Sequence, residues 1–150
     1  RLGKEYADLD GIWKSEKANV AGSQNIKEEI EKLRAQMADL QRKGQFDKLP
    51  TYIDASSYTQ HNPMIGDGLN GLQAGLEAMA KQGVVMKYDK VHRVLGEGNF
   101  VLAQSEGSLG GRPTAFYDLF RVQNGKIVEH WDTIEAIPPK AEWKNQNGKF

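Results

Sequence analysis

The sequence predicts an α+β protein in which about three N-terminal helices pack on a curved antiparallel sheet. Three observations carry that expectation. Apolar residues recur at spacings of three and four before residue 82. From Met86 onward come four runs rich in β-branched and aromatic residues, separated by Gly96-Glu-Gly98, Gly110-Gly111 and Asn124-Gly125. Helices first and a meander of strands afterwards exclude an alternating parallel α/β fold. A sheet curved over helices leaves a pocket between the two layers.

The chain has 150 residues, 39% apolar and 27% charged, which suits one ordinary globular domain with a real core. Twenty basic and twenty acidic residues cancel, which argues against a nucleic-acid or anionic-membrane partner. The absence of cysteine removes disulfides, thiolate metal sites and cysteine nucleophiles. No run of eighteen apolar residues suggests a membrane-spanning helix. Because the chain begins at Arg1, an upstream piece such as a signal peptide is conceivable, and the compartment stays open between cytoplasm and export.

Residues 1–25 show no sustained periodicity and read as an N-terminal extension. Asn25 then N-caps a strong helix in which Ile26, Ile30, Leu33, Met37 and Leu40 form one stripe, ended by Gly44. A shorter helical piece runs from Phe46 to Ile53 with Phe46, Leu49, Tyr52 and Ile53 inward. Tyr58 to Pro63 is a polar loop carrying Gln60, His61 and Asn62. A third helix spans Leu69 to Lys81 and buries Leu72, Leu76, Met79 and Ala80. The strands are expected at Met86–Leu95, Phe100–Ser108, Thr114–Val122 and Lys126–Ile134. Pro138-Pro139 ends the sheet, and 140–150 is a polar tail, so the domain proper is 26–139.

The last hairpin, Phe116 to Asp132, carries Asp118, His130 and Asp132 inside strands that otherwise read as core. A buried carboxylate costs several kcal/mol unless paired, hydrogen-bonded or protonated. Strands therefore bring such groups inward mainly where a site needs them. A two-residue type I′ turn at Asn124-Gly125 would set Asp118 opposite Trp131. A type I turn at Gln123-Asn124 followed by left-handed Gly125 pairs Val122 with Lys126 instead, and Asp118 with His130. The second register is preferred, because it gathers Phe116, Asp118, Phe120, His130 and Asp132 on one face. Tyr117, Leu119, Glu129 and Trp131 then lie on the other.

Asp132, at the pocket end of its strand, is the candidate general base; the bland alternative is an acid in a surface turn. Asp118 is either a site residue or half of a structural pair with His130. His61, in a loop, is a candidate acid, base or donor, or simply caps a turn. His92 shares parity with Tyr88 and Val94 and is a core histidine or a substrate contact. The histidines lack helical i, i+4 spacing, so no metal site is expected. Nucleophile-elbow, P-loop and dinucleotide motifs are absent as well.

Gln60-His-Asn-Pro63, Lys90-Val-His-Arg-Val94, Tyr117-Asp-Leu-Phe-Arg121 and Gly125-Lys-Ile-Val-Glu-His-Trp-Asp132 together resemble the SnoaL-like polyketide cyclase family, of the nuclear transport factor 2-like superfamily. The resemblance covers about residues 26–139, and the Gln-His-Asn-Pro and Glu-His-Trp-Asp pair is closest to a bacterial branch predicted to catalyse aldol condensations. It implies a cone-shaped fold, a homodimer through sheet faces, and cofactor-free chemistry on a small apolar carbonyl substrate. In the antibiotic-pathway cyclases an aspartate matching Asp132 is the acid/base, and a histidine stands where this chain has Asp118. The resemblance thus implies catalytic roles for Asp132, Asp118, His61 and His130, with Tyr58, Gln60, Asn62, His92, Phe116, Phe120 and Trp131 contacting substrate. The superfamily also hosts isomerases, epoxide hydrolases and non-catalytic ligand-binding modules, the last being the principal alternative.

Overall fold

The computed structural model describes residues 46–150, so the expected N-terminal extension and the helix over residues 26–43 lie outside the described part. A short 3-10 helix, Phe46–Thr51, contains Pro50 and delivers Leu49 and Ile53 to the core at 2% and 1% exposure. One α-helix follows, α1 (Gly68–Lys81). The sheet has five strands: β1 (Thr59–Gln60), β2 (Met86–Glu97), β3 (Phe100–Leu109), β4 (Arg112–Gln123) and β5 (Lys126–Ala136). Their order is β1-β5-β4-β3-β2. The four long strands form the expected antiparallel meander, while β1 pairs parallel to β5 through Thr59 opposite Glu129 and Gln60 opposite His130.

Strand β1 corrects the sequence reading, which had a loop there. Two polar residues carry no strand signal of their own. They become a strand only because β5 would otherwise be an open edge of unpaired N–H and C=O groups. A parallel bridge between Ile53 and Ile127 extends that edge, and the His61 N–H donates to the His130 carbonyl at 2.9 Å.

Helix α1 buries Leu69 and Leu72, and Leu76 packs against the same cluster as Leu49, Ile53 and Ile127. Each such side chain contributes about 1.5–3 kcal/mol on burial. Ala80, expected inward, is exposed although it follows Leu76 by four residues on the same side of the helix; it stands in the last turn, one residue before the helix ends at Lys81. The helix lies close to the segment before it: a Cβ on Gly71 would come within 2.2 Å of the Gly66 carbonyl carbon. Directly paired residues share a face. Ala103 and Asp118, Ser105 and Phe116, and Val101 and Phe120 therefore point toward the helix layer.

The opposite face carries a row of cross-strand neighbours, Leu95, Leu102, Leu119 and Trp131. The C-terminal residues fold back beside them. Trp143 Nε1 donates to the Pro138 carbonyl at 2.8 Å, and the Phe150 ring stacks on His92 at 4.1 Å between ring centres.

Candidate active site

The site is set by two irregularities in the last hairpin. Asn124 and Gly125 both have positive φ, 52° and 74°, the signature of a type I′ turn. Gln123 accordingly pairs with Lys126 and Val122 with Ile127, not Val122 with Lys126 as expected. The pairing then shifts, Arg121 lying opposite Glu129 so that Val128 is the extra residue of a bulge. Asp118 ends opposite Asp132, Phe120 opposite His130, and Phe116 opposite Ile134. The expected partners were wrong, yet the expected face was right. Turn and bulge together move the register by two residues, which preserves side-chain parity.

Beneath this face lies a cavity of about 450 Å³ between the inner sheet surface, α1 and the 3-10 helix. Its walls are apolar, among them Leu49, Ile53, Leu72, Leu76, Phe120, Ile127 and Ile134. One polar end is formed by Tyr58, Gln60, Asn62, Asp118, His130 and Asp132. Asp118 is 3% exposed.

The hydrogen bonds at that end fix each other's orientation. The Met64 N–H donates to Asn62 Oδ1 at 2.9 Å. A backbone N–H can only donate, so the Asn62 amide nitrogen must face the other way. There it donates to both oxygens of Asp132, at 2.8 and 2.9 Å. By the same logic the Asn62 N–H donates to Gln60 Oε1 at 3.0 Å. Gln60 Nε2 is thereby turned to donate to the Tyr58 hydroxyl oxygen at 2.8 Å and to His130 Nδ1 at 3.3 Å. An accepting Nδ1 leaves the proton on Nε2, which donates to Asp118 Oδ1 at 3.3 Å.

Burial, with the Asp132 carboxylate second, pushes the Tyr58 phenol above the ordinary tyrosine range and keeps it protonated. Its oxygen accepts from Gln60, and its own proton has no acceptor among the described residues. Asp67, at the start of α1, holds this end in place by accepting the Gln60 backbone N–H at 2.9 Å. That bond and a second from Gly68 keep the Asp67 carboxyl below the usual carboxylate range.

Of the residues named from sequence, the cavity gathers Asp118, His130, Asp132, Tyr58, Gln60, Asn62 and Phe120. It does not gather His61, whose ring stacks on Trp131 at 4.4 Å and whose Nε2 lies 2.8 Å from Glu129 Oε1. The His61 N–H continues the β1–β5 pairing one residue past the strand, so the extended alternation still holds and Gln60 points in and His61 out. His61 and Trp131 therefore lie on the outer face. His92 is also outside, 2.8 Å from Glu106 and beneath Phe150, because β2 has register shifts on either side of Lys90 and Val91 that break its parity with Tyr88. Phe116 is fully buried against Tyr88, behind the cavity wall rather than on it. Arg121 bonds Glu129 at 2.5 Å on the outer face, as its parity required.

Sequence reasoning missed Asp67 and the wall residues Met64, Ile65, Met86 and Tyr88. Asp67 had no signal apart from β1, Met64 and Ile65 carried none in their loop, and Met86 and Tyr88 were legible only as residues of a strand. The described residues contain one group that could hold a metal, Asp118, His130 and Asp132, with donor atoms within 4.8 Å of one another. These residues fit a metal poorly. His130 could offer Nε2 only by moving its proton to Nδ1, where it would meet the Gln60 N–H.

Residues 33–130 match the family model described as a SnoaL-like domain. TsrD of Streptomyces laurentii has a similar structure (TM-score 0.54, 20% identity, covering 71% of this chain and 87% of that one). So does IdmH of Streptomyces antibioticus, a proposed polyketide cyclase (TM-score 0.50, 20% identity, 67% and 88%). At such identities the likeness is one of fold. A 43-residue stretch, 29% of the chain, is 51% identical to the chaperone protein ClpB of Dichelobacter nodosus, and the chain spans only 5% of that relative's length.

Proposed function

The chain belongs to the SnoaL-like domain family, with an α+β nuclear transport factor 2-like fold, and on that premise we propose that it is a cofactor-independent acid–base enzyme. Its substrate is a small, largely apolar carbonyl compound, and its reaction is aldol-type ring closure or a related isomerisation. The observation that carries this reading is Asp132, a carboxylate at the polar end of an apolar cavity with both oxygens held by one Asn62 amide group. Each oxygen retains a lone pair for a substrate, and the carboxylate cannot rotate away.

Asp132 takes the proton from a carbon next to the carbonyl, and the C–H electrons move into the enolate. The Tyr58 O–H donates to the developing oxyanion, polarised by the bond it accepts from Gln60. In ring closure the enolate carbon attacks a second carbonyl, and Asp132 returns its proton to the new alkoxide. The donor role expected of His61 thus passes to Tyr58, while His130 engages Asp118. Epoxide hydrolysis is less well supported, because it needs an arginine between two aspartates and no arginine lines the cavity among the described residues.

Deuterium uptake from D2O into a panel of β-diketones and cyclic ketones, followed by proton NMR, tests the reading without knowledge of the natural substrate. Asp132→Asn should lower the exchange rate by about 10²–10⁴-fold. Undiminished exchange in that variant rejects Asp132 as base; no exchange by the unaltered protein across the panel favours the binding-module alternative. A homodimer through the outer sheet face is supported by the row Leu95, Leu102, Leu119 and Trp131, with Leu95 53% exposed. A monomeric mass by light scattering would reject it.

A further inference from the structure

Ile65 stands between two surfaces. On one side it lines the cavity, and on the other it packs against α1 at Gly75. A Cβ built on Gly75 would lie 2.9 Å from Ile65 Cδ1 and 3.4 Å from its Cγ2, and the three atoms nearest to it all belong to that side chain. Gly75 itself lies in the middle of α1 and is not part of the cavity wall. A glycine there weakens a helix relative to alanine, so its place calls for a packing reason. The backbone carrying Ile65 is held on both sides. The Ile65 N–H donates to the Asn62 carbonyl at 3.0 Å, the Asp67 carboxylate accepts the Gln60 N–H at 2.9 Å, and Gly66 lies against Gly71 backbone to backbone.

We propose that Gly75 is a specificity-determining position of this cavity and acts through Ile65. With no side chain of its own, Gly75 lets Ile65 lie back on α1, and the cavity so admits a ligand with a thick, bridged or fused-ring body. The inference rests on the reading of the cavity as the site of a carbonyl compound and adds the shape of body it takes. Carbon atoms pack best at about 3.5–4.0 Å, so a Cβ at position 75 drives Ile65 Cδ1 away by roughly 0.6–1.1 Å. Helix α1 is behind the side chain and its backbone is held, so it moves into the cavity, where there is free volume. An isoleucine is stiff at its β-branch and cannot fold the displacement into itself. A slim ring leaves room for the shift, whereas a bridged body that already touches Ile65 is overpacked.

The test uses ketones with one head and bodies of rising bulk: cyclohexanone, 2-adamantanone and diamantanone. Binding is read from the carbon-13 methyl signals of Met79 and Met86, which line the cavity. In Gly75→Ala the bulkiest ketone that the unaltered protein binds should weaken by about tenfold or more, while cyclohexanone stays within about threefold. Ile65→Val removes Cδ1, the atom in closest contact. The double variant Gly75→Ala/Ile65→Val should therefore return the bulky ketone to within about threefold of the unaltered protein. Gly75→Ala should also melt no lower than the unaltered protein, since alanine is the better helix former. Equal loss of every ketone, loss of none, or no rescue by Ile65→Val overturns the inference and leaves the carbonyl reading standing. So does a Gly75→Ala chain that melts earlier or fails to fold, because Ile65 then did not yield. If no ketone shifts the methyl signals of the unaltered protein, the cavity is not a ligand site and both readings fall.

Discussion

Gln60 tests the logic of the polar end most directly, because its single amide serves three partners. It accepts the Asn62 N–H at 3.0 Å and donates to the Tyr58 oxygen at 2.8 Å and to His130 Nδ1 at 3.3 Å. Gln60→Glu keeps the size and the acceptor but removes both donors. The carboxylate would take the Asn62 N–H as before and would draw the His130 proton from Nε2 to Nδ1. Tyr58 would turn its O–H onto the new carboxylate, away from a substrate, and Asp118 would lose the Nε2–H bond while a third carboxylate joins it and Asp132. A lost hydrogen bond to a buried charge costs about 1–3 kcal/mol, and the added like charge increases the cost. The site is only half-buried, so water softens the loss, and the sum falls near 2–4 kcal/mol. For a chain of this length that is a fall in Tm of roughly 5–15 °C. The diagnostic readout is the tautomer, read from two-bond nitrogen–proton correlations of the imidazoles. With three histidines in the chain the spectrum is assignable. The unaltered protein should show His130 protonated on Nε2, and Gln60→Glu should show it on Nδ1 with ketone exchange reduced at least tenfold, in keeping with positioning effects. A His130 already protonated on Nδ1 in the unaltered protein would refute the orientation argument at its root.

Three further outcomes follow from the same geometry. Tyr58→Phe should slow ketone exchange by about 10²–10³-fold through loss of an oxyanion donor. The Tyr58 phenol is raised above its ordinary 10.0 by burial, so the folded state keeps a proton the unfolded chain gives up. Its stabilising effect is complete below pH about 10 and is lost as pH rises above that. Urea midpoints at alkaline pH should therefore fall less steeply in Tyr58→Phe; an unchanged slope counts against burial as the cause. Hydrogen bonds from His61, then Arg121, hold the Glu129 carboxyl below its ordinary 4.5. That stabilisation is present above the ordinary value and is lost as pH falls through the folded one, so Glu129→Gln should flatten the acid limb of stability. Gly71→Ala would place a Cβ 2.2 Å from backbone atoms of Gly66. The clash costs about 1–3 kcal/mol and outweighs the roughly 1 kcal/mol helix-propensity gain, so a variant melting at or above the unaltered protein would contradict the close approach.

How much of this could be read in advance depended on whether the signal was local. The four long strands and α1 were legible because periodicity and glycine punctuation are properties of a single segment. Tyr58 to Pro63 was not, because Thr59 and Gln60 are a strand only in the presence of β5's open edge. Gln60 was named as a substrate contact, but its commitment to His130 and Tyr58 depends on an orientation imposed by the Asn62 N–H. His61 was misjudged for a related reason. A histidine between two amides in a loop could point anywhere, whereas directly after a strand paired with β5, its N–H bonded to the His130 carbonyl, it points away from Gln60. The helix stripe over residues 26–43 lies outside the described residues.

The hairpin shows why a wrong register can still give the right site. Hydrogen-bond pairing is decided at the turn, where Asn124 accepts a positive φ that most residues resist. Facing is decided by burial along the whole strand. A type I′ turn followed by unbroken pairing would have put Trp131 and Glu129 inside and left His130 and Asp132 outside. The bulge at Val128 reverses that at little cost, since Ile127 and Val128 both remain buried, at 5% and 2% exposure. What the bulge protects is the polar end. Asp118 stays beside Asp132 and within reach of His130, and Asp132 faces Asn62 on the neighbouring segment. The local irregularity is the means by which a strong turn preference and an inward-facing acid coexist in one hairpin. It follows that the charged residues, more than the turn, specify this register.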